Sequence, residues 1–250
     1  MSSPRPSYGE RARIGVLLPS GNVVAEPELA CLMPDGVSLH VTRLPLSGSS
    51  EQELLGMASA AEQGAHLLRD ASPDLVAFHC TAVSSWSASM ERSLCERVES
   101  TCGVRSITTA GAIVAALGTL DARRVTLLTP YIEPINLREV DYLRRQGIEV
   151  VNWRGLGLNT PGEMMGVDPD TWLELAREHD TPRAQAVVLS CTAIRTLGAI
   201  ASIESAIGKP VVTSNQAMAW LALRRCAIAD EIVGAGVLMS RGECAVGVAP

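Results

Sequence analysis

The sequence predicts an α/β protein of two pseudo-symmetric lobes, each a roughly four-stranded parallel sheet flanked by helices, with the functional site in the cleft between them. Three observations carry this. Short aliphatic and β-branched runs alternate with helix-length segments, the signature of parallel sheets covered on both faces. The 250 residues lie near the length at which one core stops growing and chains divide. The third observation is an internal duplication. Arg13-Ile-Gly-Val-Leu-Leu-Pro-Ser20 matches Arg124-Val-Thr-Leu-Leu-Thr-Pro-Tyr131, and Phe78-His-Cys80-Thr-Ala-Val83 matches Leu189-Ser-Cys191-Thr-Ala-Ile194. The distance from Arg13 to Cys80 and from Arg124 to Cys191 is the same 67 positions. Ile107-Thr-Thr-Ala-Gly-Ala112 and Val212-Thr-Ser-Asn-Gln-Ala217 extend the match at a different spacing, as an insertion in a surface helix or loop gives.

The elements follow in order. Residues 1–12 are polar, contain Pro4 and Pro6, and are expected to be a loose tail. The first lobe, 13–120, holds strands at 13–18, 37–43, 74–78 and 104–107, each aliphatic or β-branched. Pro19-Ser-Gly-Asn22 reads as a turn in which Asn22 caps a helix containing Glu26 and Glu28. Apolar residues at helical spacing predict a helix over 51–69. The boundary falls near Asp121, and the second lobe, 121–215, holds strands at 124–128, 148–153, 185–189 and 210–212. A glycine-rich loop, 155–161, carries Asn159 but lacks the third glycine of a dinucleotide fingerprint. Pro169 opens a helix over 170–178. Residues 216–240 are expected to form a helix and a strand returning toward the first lobe, with a second loose tail at 241–250.

Composition removes several function classes. Hydrophobic residues at 47% and charged residues at 19% exclude disorder. No apolar run approaches the roughly 20 residues of a membrane span. A net charge of −6 and only 3% aromatic residues argue against nucleic acid. Seven cysteines without a secretory signal read as reduced thiols of a cytoplasmic protein. Walker, Gly-x-Ser-x-Gly, Cys-x-x-Cys and His-Glu-x-x-His motifs are all absent, so neither a metal nor a nucleotide is implied. A homo-oligomer is left open.

In parallel sheets ligands bind beyond the carboxyl ends of the strands, where Cys80 and Cys191 fall. A small buried cysteine is a common core residue, and Cys31, Cys95, Cys102, Cys226 and Cys244 are read that way. The matched placement of Cys80 and Cys191 singles that pair out. A helix beginning just after each is expected to lower the thiol pKa, helped by the hydroxyls of Thr81 and Thr192. The amides that follow, at Thr81, Ala82, Val83, Thr192 and Ala193, can hold a carboxylate or an enediolate oxygen. Tyr131 ends the matching strand of the second half and can reach the cleft, as can Ser214 and Asn215 at the end of the last strand. His79 points away from Cys80 because adjacent strand residues face opposite ways, so it reads as structural. Arg195, one turn from Cys191, reads as an outward surface charge.

Pro19-Ser-Gly-Asn22 with Glu26-Pro-Glu28, Thr129-Pro-Tyr131, Ser190-Cys-Thr-Ala-Ile-Arg-Thr196 and Gly208-Lys-Pro-Val-Val-Thr-Ser-Asn-Gln-Ala217 before Trp220 occur in this order. At these residues the chain resembles the maleate cis-trans isomerase and arylmalonate decarboxylase branch of the aspartate/glutamate racemase superfamily. The resemblance implies a cofactor-independent enzyme with Cys80 as nucleophile and Cys191 as proton donor or acceptor. It places the family's carboxylate-holding asparagines on Asn22 and Asn159, and its tyrosine on Tyr131. Decarboxylases of the branch typically keep only the second cysteine, so both together imply isomerase or racemase chemistry. Cys80-Thr-Ala-Val-Ser84 departs from the Cys-Thr-Ser-Gly usual in maleate isomerases, and Val23 follows Asn22 where Thr is usual. The leading expectation is cis-trans isomerisation of maleate or a related small unsaturated dicarboxylate. The alternatives are a racemase or decarboxylase of a small activated acid, and a non-catalytic small-acid binding protein.

Overall fold

The structure is a computed structural model, and it describes residues 6–243. Eight strands form two parallel four-stranded sheets. The first contains β1 (Ala12–Pro19), β2 (Val37–Leu44), β3 (Leu75–Phe78) and β4 (Ser106–Thr108) in the order β2-β1-β3-β4. The second contains β5 (Arg124–Tyr131), β6 (Glu149–Leu158), β7 (Ala186–Leu189) and β8 (Val211–Thr213) in the order β6-β5-β7-β8. The orders are identical when the halves are superposed by number, as the duplication requires. Strands β3 and β7 are buried at every position, which is why they read as unbroken aliphatic runs rather than alternating ones.

Eleven α-helices cover the sheets among the described residues: α1 (Ala25–Leu32), α2 (Glu51–Ser59), α3 (Ala61–Arg69), α4 (Thr81–Ser84), α5 (Ala88–Cys102), α6 (Thr109–Thr119), α7 (Glu133–Arg145), α8 (Pro161–Gly166), α9 (Pro169–His179), α10 (Ile200–Ile207) and α11 (Ser214–Arg225). The single helix expected over 51–69 is two. Ser50 and Glu53 form a capping box at the start of α2, and Ala60, with ψ −6°, ends it. That ψ is far from the helical value near −42°, so the segment bends there before continuing as α3. Asp121 makes the turn from α6 into β5 with φ +52°, a left-handed conformation that Asp tolerates better than most residues.

Helices α6 and α11 begin at equivalent points of the two repeats and pack against each other. From Ser214 to Leu223 every residue of α11 is buried, the pattern of a helix enclosed on all sides. The two sheets are distinct, but their apolar cores are shared. One cluster joins Ile14, Val16 and Leu18 to Val125, Leu127, Val188 and the α11 residues Ala217–Leu223. The other joins Leu17, Val76 and Phe78 to Leu128, Val187, Leu189 and Trp172. Each half therefore depends on the other for burial.

Three expectations are corrected. No strand forms in the described part of 216–240. Carbonyls there are taken by side chains of α11 instead: Gln216 Nε2 donates to Ala235 O at 2.6 Å and Arg224 Nη1 to Ile228 O at 2.8 Å. Residues 155–158 extend β6 rather than forming a loop, and Ser214 and Asn215 open α11 rather than ending a strand. The described parts of the two expected tails are also tied down. Arg11 pairs with Asp230 at 2.5 Å, and Arg241 O accepts from Trp220 Nε1 at 2.9 Å; residues 1–5 and 244–250, with Cys244, lie outside the described residues.

Candidate active site

Cys80 ends the stretch that β3 begins and is the N-cap of α4; Cys191 stands at the matching point after β7. Both thiols line one narrow cleft. Asn22, Ala82, Tyr131, Thr192 and Ala193 line it as well. Of the remaining sequence-predicted site residues, Thr81, Val83 and Asn159 are not in the lining. Thr81 is buried behind it, its hydroxyl bonded to Ser214 Oγ at 2.9 Å. Val83 acts on Cys80 through its backbone amide, which favours the thiolate.

Asn159 is exposed. Its carbonyl accepts from Ser49 Oγ at 2.8 Å and its amide donates to Glu163 at 3.1 Å. It thus ties together two rim segments, since Ser49 and Pro161 both line the cleft, and its side chain is not part of the wall.

Asn22 does two jobs. Its Oδ1 accepts from the amides of Val24 and Ala25 at 2.9 and 3.0 Å, which fixes the turn leading into α1; the N-cap position itself is Val24, not Asn22 as the sequence suggested. Its Nδ2 donates across to Thr192 Oγ1 at 3.0 Å, linking the first half to the loop that carries Cys191. Tyr131 is held by the corner around it. Asn136 Nδ2 donates to Tyr131 O at 3.0 Å, and Thr129 Oγ1 donates to Asn136 Oδ1. A side chain at Gly155 would meet Asn136 Nδ2 at 2.0 Å and Tyr131 O at 2.6 Å; glycine there lets β6 pass this corner. From this fixed position Tyr131 shares the cleft lining with Cys191 and favours its thiolate, and the Cys191 sulfur accepts from Ala193 N at 3.3 Å.

The electrostatics differ from the sequence expectation. Burial pushes the Cys80 thiol up to about 12, against which the amides of Val83 and Ala82 pull only weakly. Burial likewise pushes Cys191 up to about 11, partly offset by Tyr131 and the Ala193 amide. The expected lowering assumed a helix start behind each thiol. Helix α4 has only four residues, and the next regular element after Cys191 is a 3-10 turn, Leu197–Ala199. Loss of water around the sulfur outweighs the few amides that remain. Both cysteines are thiols at neutral pH in this cleft, and Tyr131 is a neutral phenol, its pKa raised first by burial and then by the Cys191 charge.

Among the described residues no charged side chain lines the cleft. Its polar groups include Asn22, Tyr131 and the Thr192 hydroxyl, while Leu46, Leu54, Pro161 and Met164 make much of the rest of the wall apolar. Those four lie in segments outside the duplicated motifs, so no signal in the sequence pointed to them. Met164 Sδ sits 3.9 Å from Cys191 Sγ. No group of three or more possible metal-ligating residues exists among the described residues, and no described helix is long and apolar enough to cross a membrane.

His79 is enclosed and neutral. Burial pushes its pKa down to about 4, and its Nδ1 and Nε2 lie 2.9 Å from Thr109 Oγ1 and Asn215 Oδ1. Because Asn215 Nδ2 donates to Glu28 at 2.7 Å, its Oδ1 must face the ring, which assigns the proton to Nε2. Arg195 is exposed and donates to Val167 O at 3.0 Å, away from the cleft. Of the cysteines read as core residues, Cys31 is exposed and Cys95, Cys102 and Cys226 are partly so, leaving the matched pair as the fully buried thiols among the described residues.

Comparison with known proteins agrees with this geometry. The chain is 30% identical to a maleate isomerase of Nocardia farcinica over 241 residues, covering 91% of this chain and 95% of that one. It is 27% identical to the arylmalonate decarboxylase of Bordetella bronchiseptica over 82% of this chain and 90% of that one. Among solved structures, the Pseudomonas putida S16 maleate isomerase with maleate superposes with a TM-score of 0.88 at 27% identity, covering 92% of this chain and 97% of that one. A Nocardia farcinica maleate cis-trans isomerase mutant with a covalently bound succinylcysteine intermediate gives 0.87 at 27% identity, covering 92% and 98%. The family model for arylmalonate decarboxylase matches residues 14–239, a span that includes both sheets and both thiols, and the chain belongs to that family.

Proposed function

We propose that this protein is a cofactor-independent cis-trans isomerase of maleate or a closely related small unsaturated dicarboxylate. The observation that carries the reading is the pair of buried thiols, Cys80 and Cys191, on one cleft. A carbon–carbon double bond must become single before it can rotate. The Cys80 sulfur adds to one alkene carbon, the π electrons move onto the neighbouring carboxylate as an enediolate, and the Cys191 proton passes to the adjacent carbon. The proton that Cys80 loses ends on Cys191, so the cleft never holds two thiolates, in keeping with the high pKa of each. Rotation about the new single bond and reversal of the addition give the trans isomer. The succinylcysteine in the Nocardia farcinica relative is the kind of adduct this route forms. Amides after the cysteines, with Asn22 and Tyr131, stabilise the enediolate charge in this reading.

Incubation of the protein with maleate, followed by proton NMR, tests this. Fumarate signals are expected, and their absence at high enzyme concentration sinks the reading. The apolar part of the wall, Leu46, Leu54 and Met164, supports a second reading, in which an acid bearing an apolar substituent is decarboxylated or racemised. Carbon dioxide release from arylmalonates, or deuterium uptake at an α-carbon without alkene isomerisation, would select it.

A further inference from the structure

Behind Cys191, outside the cleft lining, lies an ionisable group that the reaction above does not use. Glu139, on α7, is 1% exposed. Its Oε1 accepts the hydroxyl of Ser190, the residue directly before Cys191, and its Oε2 is buried without a hydrogen-bond partner among the described residues. The duplication makes the position informative. Glu28 follows Arg13, and Glu139 follows Arg124, by the same 15 positions. The two carboxyls are treated very differently. Glu28 accepts from Asn215 Nδ2 at 2.7 Å and from the amides of Thr196 and Leu197 at 2.6 and 2.8 Å. Glu139 has one neutral hydroxyl.

A buried carboxylate with so few donors carries its charge at a cost. The titratable groups that feel it are Cys191 and Tyr131 on the cleft side and Tyr142 on its own helix. Beyond Tyr142 stand Cys95 and Glu91, whose Oε2 accepts the Tyr142 hydroxyl at 2.6 Å. No basic group acts on Glu139.

We propose that Glu139 is a positioning residue that governs the proton on Cys191: through Ser190 it fixes the strand end that carries the thiol, and by gaining or losing its own proton it sets how readily that thiol gives up its own. The inference rests on Cys191 being the proton-handling thiol of the cleft. Burial pushes the Glu139 carboxyl up to about 7, with the Ser190 bond pulling it back in part. Its charge therefore changes near neutral pH. Ionised Glu139 opposes a thiolate at Cys191; the neutral acid does not.

The test follows alkylation of Cys80 and Cys191 separately by mass spectrometry, from about pH 6 to about pH 10, in the wild type, Glu139→Gln and Ser190→Ala, since rate reports thiolate fraction. At about pH 8.5 Glu139→Gln is expected to label Cys191 several-fold to about tenfold faster, a shift of up to one pKa unit. Cys80, on which Glu139 does not act, is expected to change less than about twofold. Ser190→Ala removes a bond that favours the charged carboxylate, so Glu139 stays neutral to higher pH and the Cys191 curve moves toward that of Glu139→Gln. Unchanged Cys191 curves in both variants, or equal acceleration at both cysteines, would overturn the proposal. Alkylation needs no turnover, so the role of Glu139 is decided even in a protein that leaves maleate untouched. In an active protein, the kcat–pH profile of Glu139→Gln should lose an ionisation while KM stays within about twofold, a split that simple loosening of the fold does not produce.

Discussion

The two halves of the molecule place a cysteine at the same point of the same sheet and then surround it differently. Behind Cys80, His79 is locked as a neutral ring between Thr109 and Asn215, and Asn215 passes the chain on to a fully bonded Glu28. Behind Cys191, Ser190 meets a Glu139 with one oxygen unpartnered. In front, Cys80 has the first amides of α4, while Cys191 has Ala193 N and the Tyr131 hydroxyl. The first half offers a thiol in a fixed, neutral setting. The second offers a thiol whose surroundings can change charge. A duplicated frame can thus accommodate the unequal roles proposed above, nucleophile on one side and proton carrier on the other, without any difference in strand order.

The largest effect expected from breaking this asymmetry is on turnover. Cys80→Ala removes the covalent route and should lower kcat for maleate by about 10⁴-fold or more. Cys191→Ala removes proton transfer but leaves the nucleophile, so the loss should be about 10²- to 10⁴-fold. Mass spectrometry after mixing with maleate should find the adduct mass on Cys80 in the Cys191→Ala protein and on neither cysteine in Cys80→Ala. An adduct on Cys191 would exchange the two roles.

The next effect is on stability against pH, where the two halves should slope in opposite directions. The His79 pKa is depressed in the fold, from its ordinary 6.5 to about 4. Its contribution is present above 6.5 and is lost as pH falls toward 4. The Glu139 pKa is raised from 4.5 to about 7, so its contribution is present below 4.5 and lost as pH rises through 7. Each shift corresponds to roughly 3 kcal/mol, and over their common range they nearly cancel. Urea unfolding of the wild type should therefore vary little between about pH 4.5 and 6.5 on account of these two groups. In Glu139→Gln the His79 gain is unopposed and stability should climb across that window; in His79→Gln the Glu139 loss is unopposed and it should fall.

A smaller effect is expected where the halves are joined. Asn22→Ala loses both the bonds that fix the turn before α1 and the bond to Thr192, and should cost about 1–2 kcal/mol. Asn22→Asp keeps the acceptor for Val24 and Ala25 but cannot donate to Thr192. If the cross-link positions Cys191, Asn22→Asp should recover most of the stability and little of kcat/KM; recovery of both would reduce Asn22 to a residue that only holds the turn.

How much of the fold and the site is legible in the sequence depends on whether a feature repeats. Strands buried on both faces stand out as aliphatic runs, and the repeat alone places Cys80, Cys191 and Tyr131 at equivalent strand ends. The same comparison of halves pairs Glu28 with Glu139, but residue type alone does not tell that one carboxyl is saturated and the other is not. Leu46, Pro161 and Met164 come from unrepeated segments, and only folding brings them to the wall. The thiol pKa shifts run opposite to the sequence expectation for a related reason. A helix start can be read from local sequence, whereas the burial that outweighs it is a property of both lobes closed together.

The smallest expected effect concerns the two Cys-Thr-Ala elements themselves. Ala82 and Ala193 occupy matching positions and both line the cleft, so neither half offers a side-chain hydroxyl at that point. Ala82 faces the cleft and is 9% exposed. In Ala82→Ser a hydroxyl is added beside Cys80, where a substrate carboxylate would be held by amides alone. One such bond contributes about 0.5–1.5 kcal/mol, so KM for maleate should fall roughly two- to tenfold. If the bond forms equally in ground and transition states, kcat should stay unchanged. Ala193→Ser should do less, because Thr192 and Tyr131 already place hydroxyls on that side of the cleft. A rise in KM for maleate in Ala82→Ser, with improved turnover of a less charged acid in the wild type, would show that this wall is fitted to an apolar substituent and would move the substrate assignment toward the second reading.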